Sequence, residues 1–446
     1  MRVRLQIFVA LISSFFLALI SQSVIASPRI LQWHTTQGTP VYFVESNQIP
    51  IVDVRIVFDA GSARDNGQAG LAVLTNALLA EGAADKTSQQ IAEQFEDVGA
   101  QFGNGALRDM AWLSLRSLRA EQYLTPALTM LKEVLTRPAF SEESFQRELA
   151  NLKVARQASK QSPSALGSEA FYKALYGDHP YASPVNGDDE SLASMQRKQV
   201  LNFYDRYYVS SNAMIAIVGN LSRVQAEKVA NELMDGLNKG IRIPAIPAVK
   251  PLEKAQKIHI PFPSKQSHIM MGEPGVKRGD NDYFTLYVAN HPFGGSGFSS
   301  RLVDEIREKR GLAYSVYSYF SPSRELGPFL MGMQTKNDQV TQAAELLKSE
   351  LVKYWQEGPT DDELESSVRN ITGGFPLRID SNKKIVEYLA MIGFYHLPLD
   401  YLHNFNRRIE AVTLDDIKVA LKRRLNPEKM ITVIVGGESN QSAQRQ

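Results

Sequence analysis

An arginine and a tyrosine seven residues apart stand where a predicted helix passes into a predicted strand. Arg307 follows Leu302, Val303 and Ile306, whose spacing is helical, whereas the residues around Tyr314 alternate as in a strand. A guanidinium offers a planar fork of donors and a phenol adds one hydroxyl, so together they suit a peptide carbonyl or an oxyanion. Charged helix faces are usually just solvated, and spacing alone favours that plainer interpretation.

The elements that must position this pair have their own signals. Three glycines are followed by Ser299 and Ser300, either of which can cap a helix by accepting from its first free N–H groups. Gly311 is typical of a helix end. From Ala313 the apolar period becomes two, so the sequence predicts a strand that includes Tyr314.

Residues 297–316 resemble the C-terminal signature of the pitrilysin/insulinase family of zinc peptidases, which includes the mitochondrial processing peptidase and insulin-degrading enzyme. In that family an Arg and a Tyr at this spacing grip the bound peptide near the scissile bond, and Arg307 and Tyr314 match them. The resemblance covers nearly the whole mature chain and is that of a short bacterial member. It implies an α+β fold of two duplicated halves forming a clam-like chamber. Each half would be a mostly antiparallel sheet with helices on one face.

The same resemblance locates the family's catalytic residues, and this chain lacks them. Active members carry H-x-x-E-H on the first long helix, where two His bind zinc and the Glu activates a water. Here Val73, Asn76 and Ala77 stand at those positions, and none can serve as ligand or base. The family's third ligand is a Glu after a Phe-x-Arg-Glu sequence. Glu148 belongs to that lead-in, and residues 149–154 contain no carboxylate.

No substitute site stands out in the sequence. None of the seven histidines lies three or four residues from another, and His291, near the counterpart of the zinc helix in the second half, has no partner there. The glycines at 294–297 lack the lysine of a phosphate-binding loop, and no serine lies in a Gly-x-Ser-x-Gly elbow. We therefore expect no metal and no other cofactor in this chain.

The first 26 residues have the features of a signal peptide. Arg2 and Arg4 precede an apolar stretch at 7–20, and Val24 and Ala26 form a small-residue cleavage site. These features predict export to a periplasm with cleavage after Ala26, while a secreted or membrane-anchored form stays open.

Composition excludes some classes of function. The chain has 49 Lys and Arg against 48 Asp and Glu, and this balance gives no reason to expect a nucleic acid as partner. There are no cysteines, which excludes disulfides, thiol chemistry and thiolate ligands.

The chain also repeats itself. Residues 213–219 resemble 430–436, and residues 125–132 resemble 341–348, at nearly the same offset, which favours a duplication. Between the halves, residues 243–251 are rich in proline and predict a semi-extended linker. The predicted division is a signal peptide at 1–26, a peptidase-like domain at 27–240, a linker at 241–256, a second such domain at 257–437 and a disordered tail at 438–446.

The first half mixes predicted strands with longer helices, as in an α+β layer. The strands are predicted at 41–45, 52–59 and 112–118 and around Met214, and the helices at 68–80, 87–98, 121–135, 142–158 and 198–207.

The resemblance implies a function in a pair. Some short members of the family work as two chains, one with the zinc helix and one with the Arg/Tyr pair. This chain has only the second element. It would hold a peptide and help to polarise the scissile carbonyl, while a partner with H-x-x-E-H supplies zinc and base. It would be inactive alone.

The alternative is a structural or peptide-binding scaffold with no part in hydrolysis, like the core proteins of respiratory complexes, which resemble the same family. The retained Arg307 and Tyr314 favour the first hypothesis, because a scaffold does not need them.

Overall fold

The computed structural model of the chain describes residues 28–437. The predicted signal peptide and the predicted tail at 438–446 lie outside this range. No helix within 28–437 combines the length and the hydrophobicity needed to cross a bilayer.

The strands are β1 (Leu31–His34), β2 (Pro40–Glu45), β3 (Ile51–Phe58), β4 (Gly82–Ala83), β5 (Lys86–Thr87), β6 (Gln101–Ala106), β7 (Ala111–Leu118), β8 (Ala213–Gly219), β9 (Gln256–Ile260), β10 (Gln266–Val276), β11 (Val316–Phe320), β12 (Gly327–Lys336) and β13 (Ile431–Val435).

The α-helices are α1 (Leu71–Leu78), α2 (Ser88–Asp97), α3 (Glu121–Thr136), α4 (Glu142–Ser159), α5 (Pro163–Tyr176), α6 (Asp189–Ser194), α7 (Arg197–Tyr207), α8 (Arg223–Met234), α9 (Tyr283–Asn290), α10 (Val340–Glu357), α11 (Asp361–Gly374), α12 (Asn382–Phe394), α13 (Phe405–Glu410) and α14 (Leu414–Arg424).

Two sheets of matching topology organise the described residues. The first has the order β1-β2-β8-β3-β7-β6 and the second β11-β12-β10-β13-β9. Each contains one parallel pair, β2 with β8 and β9 with β13, and all other neighbours in these two sheets are antiparallel. The two repeated apolar segments are the equivalent strands β8 and β13. The α+β class, the two halves and the mostly antiparallel sheets are confirmed.

Both faces of each sheet are covered, because each half contributes one helix that packs on the sheet of the other half. We call these two, α5 and α12, the exchanged helices. On β8, Ile215 and Ile217 join the core of the first half, whereas Ala216 and Val218 join the core that contains the helices of the second half. Helix α12 packs on β2, β3 and β8, and helix α5 packs on β9, β10 and β13. The prediction of helices on one face was therefore incomplete. Burial on both faces explains why β8 is a continuous apolar run.

The elements predicted for the first half match the structure within a few residues, but others were not predicted, namely β1, β4, β5, β6, α5, α6 and α8. Helix α5 begins inside the serine-rich stretch 157–168, whose composition predicts a loop or a helix break, and Ser162 caps the helix by accepting from the N–H of Ala165. Strand β6 contains Gly103 and Gly105, which look like turn residues. A Cβ at Gly105 would lie 2.9 Å from the ring of Trp112, so the strand needs a glycine there.

The segment between the halves is irregular, as predicted, but it is packed against the protein. Ile246 and Val249 are buried in a cluster with α5. The carbonyl of Pro244 accepts from Nη1 of Arg64 at 2.8 Å, and the carbonyl of Pro247 lies 2.7 Å from Nε2 of His179. The linker thus contributes to the contact between the halves.

Candidate functional site

The helix that carries Arg307 is a single wide turn with a defined start and end. Ser300 accepts from the N–H of Val303 at 3.4 Å, and residues Val303–Glu308 form a π-helical turn. Gly311 has a φ of 60° and donates to the carbonyl of Arg307, which makes it the helix stop that the sequence predicts. Leu302 and Ile306 are buried on the inner face, so Arg307 is held on the outer one.

Tyr314 is not part of the strand that follows, contrary to the prediction. Strand β11 begins at Val316, which pairs with Met333. Val316 and Ser318 are buried on the core side, whereas Tyr314 is 80% exposed in the turn before the strand. The prediction failed because the alternation of side chains begins at Ala313, before the strand does. Residues 313–315 share the pattern, but the paired residues of β11 and β12 begin only at Val316.

The turn brings the phenol of Tyr314 against the guanidinium of Arg307. The Cζ of Arg307 lies 5.2 Å from the ring centroid of Tyr314 and 5.0 Å from that of Phe298. Phe298 is also 80% exposed. We call Phe298, Arg307 and Tyr314 the Arg307 cluster. Its only ion pair within residues 28–437 is a 3.4 Å contact between Nε of Arg307 and its neighbour Glu308.

The Arg307 cluster is suited to contacting another molecule. A guanidinium beside aromatic rings is held by cation–π attraction while its N–H groups remain able to donate. Two large aromatic side chains left in solvent are typical of binding surfaces, because they gain apolar contact only when something covers them. Phe298 was not identified from the sequence. The available signal was an aromatic residue within a run of glycines and serines.

The positions of the zinc motif lie on α1 as predicted, and their side chains do not fit a zinc ion. Val73 and Ala77 are partly buried and have no donor atoms. Asn76 is only 1% exposed, and its Nδ2 donates to the hydroxyl of Tyr208 at 3.1 Å and to the carbonyl of Trp112 at 3.3 Å. Asn76 is thus part of the internal hydrogen-bond network of the first half.

The later helix offers no third ligand near these positions. Glu148 lies 3.5 Å from Arg147 and accepts from Asn151 at 3.3 Å. Val154, within the stretch where the family has its ligand, is 70% exposed. Among residues 28–437, no group of three His, Asp or Glu side chains could hold a metal ion.

His291 also has a structural environment. Its Nδ1 lies 3.0 Å from the hydroxyl of Ser367, and its Nε2 lies 3.1 Å from the amide oxygen of Asn370. Burial lowers the pKa of His291, so the neutral ring is favoured. Both ring nitrogens have neutral partners, which leaves neither free for a metal.

Two family models match consecutive parts of the chain. Residues 41–189, which include α1, match the model described as insulinase (peptidase family M16). Residues 194–371, which include the Arg307 cluster, match the model described as peptidase M16 inactive domain. The first match contains β2, β3, β6 and β7 of the first sheet, and the second contains β8 of the first sheet and β9 to β12 of the second.

The chain is similar to a solved structure over most of its length. The crystal structure of a peptidase M16 inactive domain from Pseudomonas fluorescens is 39% identical, with a TM-score of 0.89 over 92% of this chain and 98% of that one. The zinc protease YmxG of Bacillus subtilis is 25% identical over 417 residues, 92% of this chain and 99% of that protein. The non-peptidase homolog YmxG of Helicobacter pylori is 24% identical over 404 residues, 90% of this chain and 92% of that protein.

These matches agree with the signature at 297–316 and with the paired α+β halves. The chain therefore belongs to the insulinase family of peptidases, peptidase family M16, as a member without the family's zinc-binding residues.

Proposed function

We propose that this chain is the non-catalytic, substrate-holding subunit of a two-chain zinc peptidase. The observation that carries the proposal is a contrast between the halves. In the first half, Asn76 is incorporated into the internal hydrogen bonds and Val73 and Ala77 cannot ligate a metal. In the second half, Arg307 and Tyr314 meet on the surface, and among the described residues neither has an ion pair or a side-chain hydrogen bond to another element.

In this proposal the Arg307 cluster grips an extended peptide. The guanidinium donates to a backbone carbonyl next to the scissile bond, and the phenol hydroxyl adds a second donor. Donors that are already in position stabilise the charge that develops on a carbonyl oxygen during hydrolysis. The rings of Phe298 and Tyr314 cover the apolar part of the bound chain.

The metal and the base would come from a homologous partner that carries H-x-x-E-H. Residues 2–26 have the features of an export signal, and we propose a periplasmic location for the complex. The names of the relatives are consistent with a division of roles, since one is called a zinc protease and another a non-peptidase homolog.

The test is reconstitution with a chain from the same genome that carries H-x-x-E-H. We expect the two purified chains to co-elute in size-exclusion chromatography and to cleave a mixed peptide library together, while neither cleaves it alone. A partner that cleaves equally well without this chain, or a stable complex that cleaves nothing, would favour the scaffold alternative.

A further inference from the structure

A cavity of about 300 Å³ lies in the helix layer of the second half, between α9, α12 and α13. Its walls are aromatic, with Tyr401 and Phe405 buried and Tyr283 and Tyr287 stacked at a centroid distance of 6.1 Å. This volume is at the lower end of the range for small-ligand pockets. The cavity can therefore hold one side chain with its backbone ends.

Two guanidinium groups border this cavity without an ion-pair partner in residues 28–437. The Cζ of Arg278 lies 5.3 Å from the ring centroid of Tyr283, and that of Arg378 lies 5.9 Å from the centroid of Tyr287. The Nε of Arg278 is buried and has no hydrogen-bond partner within the described chain. The terminal nitrogens of a guanidinium can donate to an anionic ligand in charge-assisted hydrogen bonds, so both groups can bind an acceptor in the cavity.

The neighbouring carboxylates are bound to other cations. Glu387 lies 3.7 Å from Arg55, and Asp380 lies 2.9 Å from Lys384. Near Arg278, Asp280 pairs with Arg424 at 2.7 Å. Because these charges are neutralised in pairs, Arg278 and Arg378, which have no ion-pair partner in residues 28–437, make the cavity electropositive.

We propose that this cavity binds the terminal carboxylate of a peptide whose last side chain is aromatic or aliphatic. A planar carboxylate matches the fork of a guanidinium, and the rings bury the adjacent apolar side chain. Inorganic phosphate would bind the cations but would leave the aromatic walls without contact. The assignment rests on the proposed function only in taking a peptide as the source of the carboxylate.

The structure also provides room for the rest of such a peptide. A second cavity, of about 620 Å³, shares Glu387 and Met391 with the first and extends to Arg55 and Trp112 of the first half. A peptide anchored at its carboxyl end could continue along this path.

Calorimetric titration of the purified chain with N-acetylphenylalanine, its amide and inorganic phosphate tests the proposal. We expect the acid to bind at least tenfold more tightly than the amide, with phosphate failing to displace it. Arg378→Gln should weaken binding of the acid at least tenfold, because it removes one of the two guanidinium groups at the cavity. Arg378 is an exposed residue, so its loss should not unfold the chain. Arg369→Gln, which removes a guanidinium paired with Glu365 on α11, is the matched control and should change nothing.

Tyr388→Phe provides a second variant, since it keeps the wall of the cavity and removes one hydroxyl. Equal affinity for acid and amide, no binding at millimolar acid, or unchanged binding by Arg378→Gln would overturn the proposal. Displacement by phosphate would overturn the assignment to a peptide terminus. The titration uses this chain alone, so a failed reconstitution of peptidase activity would not affect its outcome.

Discussion

At the scale of single residues, Arg307 and Tyr314 should matter for catalysis and not for folding. Both are surface side chains of the Arg307 cluster, so shortening them opens no core cavity. Losing one positioned donor to a developing oxyanion costs about 3 kcal/mol, or roughly a hundredfold in rate. We expect Tyr314→Phe and Arg307→Ala each to lower peptide turnover by the reconstituted complex by about this factor, with unchanged thermal unfolding.

Two neighbouring changes serve as controls. Arg310→Ala removes a guanidinium that is paired locally with Glu305 at 2.6 Å, and Tyr319→Phe removes a half-exposed hydroxyl on β11. Both should leave turnover unchanged. If the Tyr314 and Arg307 variants turned over peptide as fast as these controls, the substrate-gripping role would be wrong.

Restoring the zinc motif should not restore a zinc site. The triple variant Val73→His, Asn76→Glu and Ala77→His still lacks the third carboxylate beyond Glu148. It also places an acid where Asn76 donates to the carbonyl of Trp112, and a carboxylate has no N–H to donate. We expect a loss of roughly 1–3 kcal/mol in the free energy of unfolding and no stoichiometric zinc by metal analysis.

The double variant Val73→His and Ala77→His keeps the amide of Asn76 and separates the two effects. It should retain most of the stability that the triple variant loses. Tight zinc binding and peptidase activity in the triple variant would show that a third ligand had been overlooked.

Glu273 on β10 should make stability depend on pH. Burial raises the pKa of this carboxyl from 4.5 to about 7, although the N–H of Asn426 donates to it at 2.6 Å. Between these two values the folded state holds more protons than the unfolded state, so the free energy of unfolding falls as pH rises. We expect Glu273→Gln to flatten this dependence and to be up to about 3 kcal/mol more stable than the parent at pH 8.

Urea unfolding at a series of pH values between 4.5 and 8 measures this slope. Glu365→Gln, at an exposed position on α11, is the control and should reproduce the parent curve. If the free energy of unfolding changed with pH in the same way for the parent and for Glu273→Gln, ionisation of the buried carboxyl would not destabilise the folded state.

At the scale of elements, we expect a glycine-to-alanine substitution to change the free energy of unfolding differently in the exchanged helices α5 and α12. A Cβ at Gly393 of α12 would approach Met214 and would lie 2.6 Å from the ring of Tyr42. A Cβ at Gly167 of α5 would lie 3.3 Å from Val435, a distance that a small shift relieves. We expect Gly393→Ala to lower the free energy of unfolding by roughly 1–3 kcal/mol through overpacking.

Gly167→Ala is the matched control and should be neutral or stabilising, because alanine is favoured over glycine inside a helix by about 1 kcal/mol. Thermal unfolding of both variants tests the prediction. Equal loss of stability in the two would indicate that α12 does not press more closely on its sheet than α5 does.

At the scale of the whole molecule, a buried polar network joins the halves. Asp109, in the loop between β6 and β7, accepts from the hydroxyl of Tyr395 at 2.9 Å and from the N–H of Arg324 at 2.8 Å, both in the second half. It also accepts from Tyr181 of the first half. We expect Asp109→Ala to cost roughly 3 kcal/mol, because it leaves several buried donors unpaired.

In Asp109→Ala, amide hydrogen exchange should become faster in both halves, because both lose stability together. Asp235→Ala, which removes an exposed carboxylate paired with Lys132, is the comparison and should have little effect. A similar effect of the two substitutions would mean that the network does not hold the halves together.

The sequence by itself determined the features that depend on neighbouring residues or on residue identity. The loss of the zinc ligands is visible at Val73, Asn76 and Ala77, because a side chain without donor atoms cannot bind a metal in any fold. The end of the Arg307 helix at Gly311 was also predictable. Capping and helical period act within one or two turns of the chain.

Only the tertiary structure decided which distant residues meet. The exposed position of Tyr314 depends on where pairing with β12 stops, and the alternating pattern around it gave no sign of this. The exchange of α5 and α12 and the cavity beside Arg278 and Arg378 each combine side chains from several separate elements. Such contacts depend on how whole layers pack together. An apolar pattern indicates that a face is buried, but it does not indicate which element covers that face.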